Sequence, residues 1–297
     1  MRNHTFGEWM LAVRPWSFPA SAMPIIVTLT YLLWSGAEVN WLKGIWVLLT
    51  MIAFHAAGNT WSDYFDFKKG VDRDDTYGAK SLTTGMFNAK EILVLAVSLL
   101  VVACISGIAL FMCTGNITLW CGLAGAALVL LYPFLKFNAL GDLDILLCFA
   151  FIPAVGTSFA VTGAIDWSVL LIALPVGLIT DGILHCNNTR DMAHDKRAGI
   201  KTMAMGLGRN VSAWLYGFEV IFPFAWIAVC SIIGLMPIYT IAIFLTLPVA
   251  IGCAKTMVTS RNDEGIQIIA DLDVRTANLQ LFFSVMLSLS FVVAYFL

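Results

Sequence analysis

Nine apolar segments, each about 20 residues long, divide this chain and constrain its fold more than any other feature. They lie near residues 16–35, 41–58, 92–112, 117–136, 143–163, 168–187, 211–234, 236–256 and 279–297. Each can cross the hydrocarbon core of a bilayer as an α-helix. Of the 297 residues, 60% are hydrophobic and only 12% are charged, whereas soluble domains carry about 25% charged residues. The sequence therefore predicts an all-α, polytopic integral membrane protein with nine transmembrane helices.

Basic residues concentrate on one side of the predicted membrane. Of the 17 Lys and Arg residues, 16 lie in or beside the N-terminal segment and the loops 59–91, 137–142, 188–210 and 257–278, whereas Lys43 lies on the opposite side. The positive-inside rule makes the basic side cytoplasmic. Because nine is an odd number, the C-terminus is expected outside the cytoplasm. We therefore expect a multi-pass protein of the cytoplasmic (inner) membrane whose N-terminus and polar loops face the cytoplasm.

Two polar stretches follow the second and sixth apolar segments, and each begins with an Asn four residues before an Asp. Their residues are Asn59, Asp63 and Asp66 in the first stretch and Asn187, Asp191 and Asp195 in the second. At helical spacing, the side chains of each stretch lie on one face. Carboxylates so close together repel unless a cation neutralises them, and Mg²⁺ prefers a few carboxylates together with phosphate oxygens. A Mg²⁺ site at the cytoplasmic membrane edge is therefore expected.

The two stretches indicate an internal repeat. They start 128 residues apart, at Asn59 and Asn187, and each leads into a loop that contains Gly and basic residues. We expect a single membrane-embedded domain, 1–297, with pseudo-repeated halves of about 1–140 and 141–297. Membrane proteins often place a functional site at such a repeat interface.

Carboxylates from two facing helix ends, together with nearby cations, are typical of a metal–diphosphate site. Arg73, Lys80, Arg190 and Lys201 are the candidate cations for the diphosphate. A diphosphate bound in this way is a good leaving group, because the charge that develops on its departure is stabilised. If the rest of the substrate is a lipid chain, the apolar surroundings would shelter the allylic carbocation from water.

Four further polar residues lie within apolar segments. His55 and His185 are expected to support neighbouring helices rather than to bind a metal. Glu219 is an open functional candidate, because acids within a membrane segment are commonly functional. Asp181 either lines the cavity or makes a contact between helices.

Four blocks resemble a known family: Arg14 to Pro24, Asn59 to Asp72, Tyr132 to Asp142, and Asn187 to Gly208. They are similar to UbiA-type membrane prenyltransferases, and especially to the 1,4-dihydroxy-2-naphthoate polyprenyltransferase (MenA-like) branch, over nearly the whole chain. The resemblance implies nine helices around a cavity that opens laterally to lipid. It also implies Mg²⁺-dependent transfer of a polyprenyl group from a polyprenyl diphosphate to an aromatic acceptor. In this branch 1,4-dihydroxy-2-naphthoate loses its carboxylate and gives demethylmenaquinone, a step of menaquinone biosynthesis.

The resemblance also implies roles for individual residues. By matching position, the Mg²⁺ ligands and catalytic carboxylates are Asp63, Asp191 and Asp195, with Asp66 as a fourth metal ligand, and the diphosphate contacts are Asn59 and Lys201. Asp72 could share or replace the role of Asp66, because Asp66 stands one residue earlier than the wider family pattern. Lys80 occupies a place where the branch usually has an Arg-containing turn. Arg14 and Tyr132 are candidate contacts to the acceptor.

Other readings of the same residues stay open. A transporter of anionic lipids or metabolites would have a similar repeat and similar membrane acids, but near the midplane. A phosphotransferase for CDP-alcohols would show one tight Asp-rich motif. Within the prenyltransferases, the alternative acceptors are 4-hydroxybenzoate, homogentisate or another quinone precursor. The expected partners are the prenyl diphosphate, the acceptor and the lipid bilayer, with no nucleic acid.

Overall fold

The computed structural model describes residues 3–77, 81–261 and 267–297, and within these ranges the chain is helical without any β-strand. The α-helices are α1 (Phe6–Val13), α2 (Pro19–Trp34), α3 (Trp41–Lys69), α4 (Ala89–Thr114), α5 (Asn116–Lys136), α6 (Gly141–Leu146), α7 (Ile152–Thr162), α8 (Leu170–Ala198), α9 (Met203–Ile232), α10 (Leu247–Thr259) and α11 (Leu272–Phe296). Short 3-10 helices cover Pro15–Ser17, Trp167–Val169 and Ile238–Thr246. A π-helical turn, Leu147–Phe151, joins α6 to α7.

The helices agree with the predicted membrane spans. Eight continuous helical segments of the described chain are long and apolar enough to cross a bilayer. The ninth span is a bent pair, Phe6–Ser17 with Pro19–Trp34, whose two parts meet at 48°. The break coincides with Pro15 and Pro19, which lack the backbone N–H that a continuous helix needs. The prediction of an all-α, multi-pass membrane protein is confirmed, with nine spans when the bent pair counts as one.

Helix α8 is the central helix of the molecule. In its most apolar 18-residue stretch 72% of the residues are buried, compared with 17% in α4 and 11% in α5. The largest core cluster combines side chains of α2, α8, α9 and α11, whereas α4 exposes a run of Val, Ile and Met side chains. Because exposed apolar faces of this length are stable only in lipid, α4 and α5 lie at the lipid-facing edge of the bundle.

Both polar stretches are helical, because α3 and α8 continue well beyond the apolar segments that begin them. Each helix has 29 residues and ends at a left-handed glycine, Gly70 (φ 72°) after α3 and Gly199 (φ 70°) after α8. Glycine adopts this conformation without the steric penalty that a Cβ brings. The two helices therefore stop in the same way.

The matched helix ends place Asp66 and Asp195 at equivalent positions. Each stands four residues before the terminal glycine, and each backbone carbonyl accepts a bond from the residue after that glycine, Val71 N at 2.8 Å and Ile200 N at 3.2 Å. The spacing from the leading Asn differs by one residue between the stretches. Counted back from the terminal glycine, however, Asp66 and Asp195 hold the same position in their helices.

Candidate active site

A cavity of about 470 Å³ lies between α3, α4, α5, α7 and α8, and the two polar stretches meet at one end of it. The polar residues that line the cavity here include Arg14, Asn59, Asp63, Asp66, Asp72, Lys136, Asn187, Asn188, Arg190, Asp191 and Asp195. The rest of the wall is mainly apolar, with side chains such as Val47, Met51, Leu110 and Val129. The fold thus brings together carboxylates that are more than 100 residues apart in the chain.

Arg14 neutralises the first carboxylate of the α3 stretch. Its Nη2 donates to Asp63 Oδ1 at 2.6 Å and to the carbonyl oxygen of Asn59 at 3.2 Å. Arg14 stands in the left-handed region (φ 56°), which costs a non-glycine residue about 1–2 kcal/mol. Strained residues of this kind cluster at functional sites, where the surrounding contacts hold them. The turn after α1 therefore places a guanidinium directly at the carboxylate.

Lys136 neutralises the second carboxylate. Its Nζ donates to Asp66 Oδ2 at 3.0 Å, and Ser62 Oγ donates to the same oxygen at 3.1 Å. Sequence analysis did not single out Lys136. The available signal was its place as a lone cation at the C-terminal end of α5, four residues after Tyr132, which also lines the cavity.

Arg190 holds Asp191 in a bidentate ion pair. Its Nε and Nη2 donate to the two carboxylate oxygens at 3.0 and 2.9 Å. Its Nη1 donates to the carbonyl oxygen of Ala270 at 3.2 Å and lies 3.5 Å from Asp273 Oδ2. The guanidinium also stacks on the ring of Tyr77, with 4.6 Å between Cζ and the ring centroid. These contacts fix a cation in the cavity wall beside a motif carboxylate.

The carboxylates fit a Mg²⁺–diphosphate unit better than a metal ion alone. Among the described residues, no three His, Cys, Asp or Glu side chains converge closely enough to hold a metal by themselves. Asp66 Oδ1 is buried and has no hydrogen-bond partner in the described part of the chain, so this oxygen offers an acceptor position. Mg²⁺ commonly takes one or two carboxylates together with phosphate oxygens and water. The donor set therefore suits a metal that arrives with its substrate.

Asp72 adds a carboxylate to the same wall. Burial raises the pKa of Asp72 to about 7, and the charges of Asp66 and Asp63 shift it in the same direction. Lys136 and Arg14 oppose this increase. Asp66 and Asp72 both line the cavity, so a shared role and a replaced role both stay predictions.

Two of the predicted diphosphate cations are not in the cavity wall. Arg73 Nε donates to the carbonyl oxygen of Gly70 at 2.9 Å, so this side chain closes the turn after α3. Lys201 is exposed, and its backbone N–H bonds Phe137 O at 3.0 Å. Both assignments to the diphosphate stay predictions without a cavity contact to support them. Lys80 lies outside the described residues.

Asn59 lines the cavity, but its amide group is already used. Its Nδ2 donates to Val13 O at 3.1 Å and to Ser17 Oγ at 3.0 Å. These bonds attach the N-terminal segment to α3. Arg190, by contrast, presents its guanidinium in the wall next to Asp191. The role of Asn59 toward the diphosphate also stays a prediction.

Three acids and His185 form a separate buried group between α6, α8 and α9. His185 Nδ1 lies 3.1 Å from Asp142 Oδ1 and 3.7 Å from Glu219 Oε1. Asp181 is near enough to Asp142 for their charges to interact. None of these four side chains is among those that line the cavity. Of the two readings for Asp181, the structure favours a contact between helices.

The family model that matches this chain is the UbiA prenyltransferase family, over residues 21–279. The UbiA prenyltransferase domain-containing protein 1 homolog of Drosophila melanogaster is 30% identical over 287 residues, which is 94% of this chain and 77% of that protein. The human UbiA prenyltransferase domain-containing protein 1 is 31% identical over 254 residues, covering 81% of this chain and 74% of the human protein.

Solved structures show the same fold. A UbiA homolog from Aeropyrum pernix K1 superposes with a TM-score of 0.68 at 17% identity, covering 93% of this chain and 97% of that one. A UbiA homolog from Archaeoglobus fulgidus bound to GPP and Mg²⁺ superposes with a TM-score of 0.59 at 15% identity, covering 95% and 99%. With two facing Asp stretches at one end of an apolar cavity in a helical membrane fold, this chain belongs to the UbiA prenyltransferase family and is a transferase of prenyl groups.

Proposed function

We propose that this protein transfers a polyprenyl group from its diphosphate to an aromatic acceptor in a Mg²⁺-dependent reaction, with 1,4-dihydroxy-2-naphthoate as the acceptor. The prenyl group would replace the carboxyl group of the acceptor, with CO2 and diphosphate released, and the product would be demethylmenaquinol, which oxygen oxidises to demethylmenaquinone after release. The observation that carries the proposal is the convergence of both Asp stretches at one end of an apolar cavity. A prenyl diphosphate matches this cavity, because its charged diphosphate suits the carboxylate end and its long apolar chain suits the apolar part.

The diphosphate end of the site is assigned to the motif carboxylates and the cations beside them. Asp63, Asp66, Asp191 and Asp195 are the proposed Mg²⁺ ligands, and Arg190 and Lys136 the proposed cations for the diphosphate. Bound Mg²⁺ would stabilise the negative charge that develops on the leaving diphosphate. Two structures of a UbiA homolog from Archaeoglobus fulgidus contain Mg²⁺ with GPP or with DMAPP, which supports the assignment.

The apolar part of the cavity is assigned to the prenyl chain. Gly122 and Gly125 of α5 line the cavity, and a Cβ added at either would meet no atom within 4 Å. This leaves room for a hydrocarbon chain next to the lipid-facing edge of the bundle. Exclusion of water from this region would protect an allylic cation from hydrolysis until the acceptor ring attacks it.

The acceptor carboxylate is assigned to Arg14. The Arg14 side chain keeps 28% of its surface exposed beside Asp63, so a second anion can reach the guanidinium. A planar guanidinium binds a carboxylate through two parallel hydrogen bonds. Both 1,4-dihydroxy-2-naphthoate and 4-hydroxybenzoate carry such a group, so this contact alone does not choose between them.

The proposed orientation places the carboxylate end of the cavity toward the cytoplasm, in the inner membrane. The excess of Lys and Arg on that side supports it through the positive-inside rule. The equal lengths and glycine ends of α3 and α8 support the two pseudo-repeated halves.

The test is product formation in membranes that contain the protein. We would supply radiolabelled polyprenyl diphosphate, with Mg²⁺ or EDTA, and 1,4-dihydroxy-2-naphthoate against 4-hydroxybenzoate. The expected result is a Mg²⁺-dependent prenylated naphthoquinone. Prenylation of hydroxybenzoate alone would refute the choice of acceptor, and transfer to no ring would refute aromatic prenylation.

Two matched variants test the metal assignment. Asp195→Ala should abolish transfer, since it removes a proposed ligand. Arg197→Ala is the control, because Arg197 pairs with the exposed Asp75 on the surface at 2.9 Å and should transfer at the wild-type rate. Wild-type activity in Asp195→Ala would contradict the metal site.

A further inference from the structure

Three polar side chains form a hydrogen-bonded group at the wall of the cavity, about two helical turns before Asp63. It consists of His55 and Ser17, which line the cavity, and Ser21, which lies behind His55. His55 is on α3, four residues before Asn59 and eight before Asp63, so it lies one and two helical turns from them on the same face. The proposed diphosphate site makes no use of these three side chains.

The hydrogen bonds of the two serines determine how His55 is held. Ser17 Oγ donates its hydrogen to Arg14 O at 2.8 Å, and Ser21 Oγ donates to Phe18 O at 3.0 Å. Each hydroxyl has one hydrogen, so neither serine has another to give. With its hydrogen on Phe18 O, Ser21 Oγ accepts from His55 Nδ1, 2.9 Å away, in the tautomer that carries hydrogen on Nδ1.

This arrangement leaves an unused acceptor at Nε2 of His55. In the neutral ring with hydrogen on Nδ1, Nε2 carries a lone pair. Its contact in the structure is Ser17 Oγ at 3.4 Å, and that oxygen has given its hydrogen to Arg14 O. A buried acceptor without a donor is costly, so the site is suited to a ligand that brings a hydroxyl hydrogen.

The opposite side of the group is aromatic. Phe149 lines the cavity and meets the His55 ring edge to face, with centroids 5.0 Å apart at 81°. Phe149 belongs to the π-helical turn Leu147–Phe151, and such turns are often found at functional sites. A ligand with a hydroxyl group on an aromatic ring would satisfy both sides, because the ring packs on Phe149 while the hydroxyl donates to His55.

We propose that His55, oriented by Ser21, binds a ring hydroxyl of the aromatic acceptor through Nε2 and thereby orients the ring toward the allylic carbon. This assignment rests on the proposed aromatic prenyl transfer. It adds a binding residue for the acceptor in a segment where the sequence indicated helix support only. Because Ser17 is also bonded to Asn59, the same contacts join the acceptor position to the diphosphate end.

Two substitutions separate the roles of the two ring nitrogens. In His55→Asn, the amide can still donate to Ser21 but leaves no acceptor at the Nε2 position. In His55→Gln, the longer amide can place its oxygen there. We expect KM for the acceptor to rise about tenfold in His55→Asn and to stay within about threefold of wild type in His55→Gln. KM for the prenyl diphosphate should stay unchanged in both.

Acceptor analogues identify the hydroxyl. Inhibition constants would be measured for 1-hydroxy-2-naphthoate and 4-hydroxy-2-naphthoate, each of which lacks one ring hydroxyl. In the wild type, the analogue that lacks the bound hydroxyl should have an inhibition constant about tenfold higher than the analogue that keeps it. In His55→Asn, the two analogues should have similar inhibition constants, because the contact is already lost. An equal penalty in both proteins, for both analogues, would overturn the contact.

The outcomes separate this inference from the proposed function. If the wild type transfers the prenyl group and His55→Asn keeps the wild-type KM for the acceptor, the inference alone is wrong. If His55→Asn raises KM for acceptor and prenyl diphosphate equally, His55 is structural and the inference is again wrong. If the wild type prenylates no aromatic ring, both proposals fall together.

Discussion

Lys136 provides the sharpest test of how the carboxylates are stabilised before substrate binds. Its Nζ is 3.0 Å from Asp66 Oδ2, and the two side chains keep only 16% and 7% of their surface exposed. Lys136→Met removes the charge but keeps most of the apolar volume. Of its hydrogen bonds to described residues, the buried Asp66 carboxylate would then keep the one from the Ser62 hydroxyl.

The expected loss of stability follows from the burial of this pair. Removing one partner of a buried ion pair costs about 3–5 kcal/mol, because the remaining charge stays desolvated. The remaining exposure of Lys136 and the Ser62 bond reduce this, so we expect about 2–3 kcal/mol. At about 2–4 °C for each kcal/mol, the unfolding midpoint should fall by about 5–10 °C.

The assay is thermal unfolding in one detergent at one heating rate, followed by tryptophan fluorescence, without substrate or metal. The double variant Lys136→Met/Asp66→Asn is the matched comparison, because it removes both charges. The double variant should regain at least half of the fall in unfolding midpoint that Lys136→Met causes, because the two side chains interact directly. A midpoint of Lys136→Met within about 1 °C of wild type, or no recovery in the double variant, would refute the ion-pair reasoning.

Three further predictions concern the helix end, the cavity and the topology. Gly199→Ala should destabilise the protein by about 1 kcal/mol, because φ is 70° there, and should reduce transfer by displacing Asp195; unchanged unfolding and turnover would contradict this. Gly125→Leu should reduce kcat/KM for a long polyprenyl diphosphate more than for geranyl diphosphate, because the new side chain enters the apolar part of the cavity; an equal effect on both would exclude that path. A reporter fused after Leu297 should be active outside the cytoplasm, and a cytoplasmic signal would refute the nine-span orientation.

The sequence was sufficient to predict the fold class and the carboxylates that meet at the cavity. Apolar segments of membrane length have one stable solution, a helix that satisfies its own backbone hydrogen bonds. Asp63 and Asp191 follow such segments at helical spacing, so their direction relative to the helix was determined locally. Both line the cavity, as this spacing requires.

The cations were harder to predict, because their positions depend on how the chain turns after a helix. Arg73 and Lys201 are near the Asp stretches in sequence, yet one closes a turn and the other is exposed. Arg14 and Lys136 are 49 and 70 residues from their partners Asp63 and Asp66. No local spacing relates residues so far apart.

Amino-acid order alone thus determined where the chain crosses the membrane and which helix faces carry carboxylates, since both follow from hydrophobicity and helical period. The tertiary structure decided which cation meets each carboxylate and which polar residues line the cavity at all. His55 and His185 show the difference, because both lie late in an apolar segment, yet His55 lines the cavity and His185 is packed against Asp142 of α6. That choice depends on the rotation of each helix against its neighbours, which only the packing of the whole bundle sets.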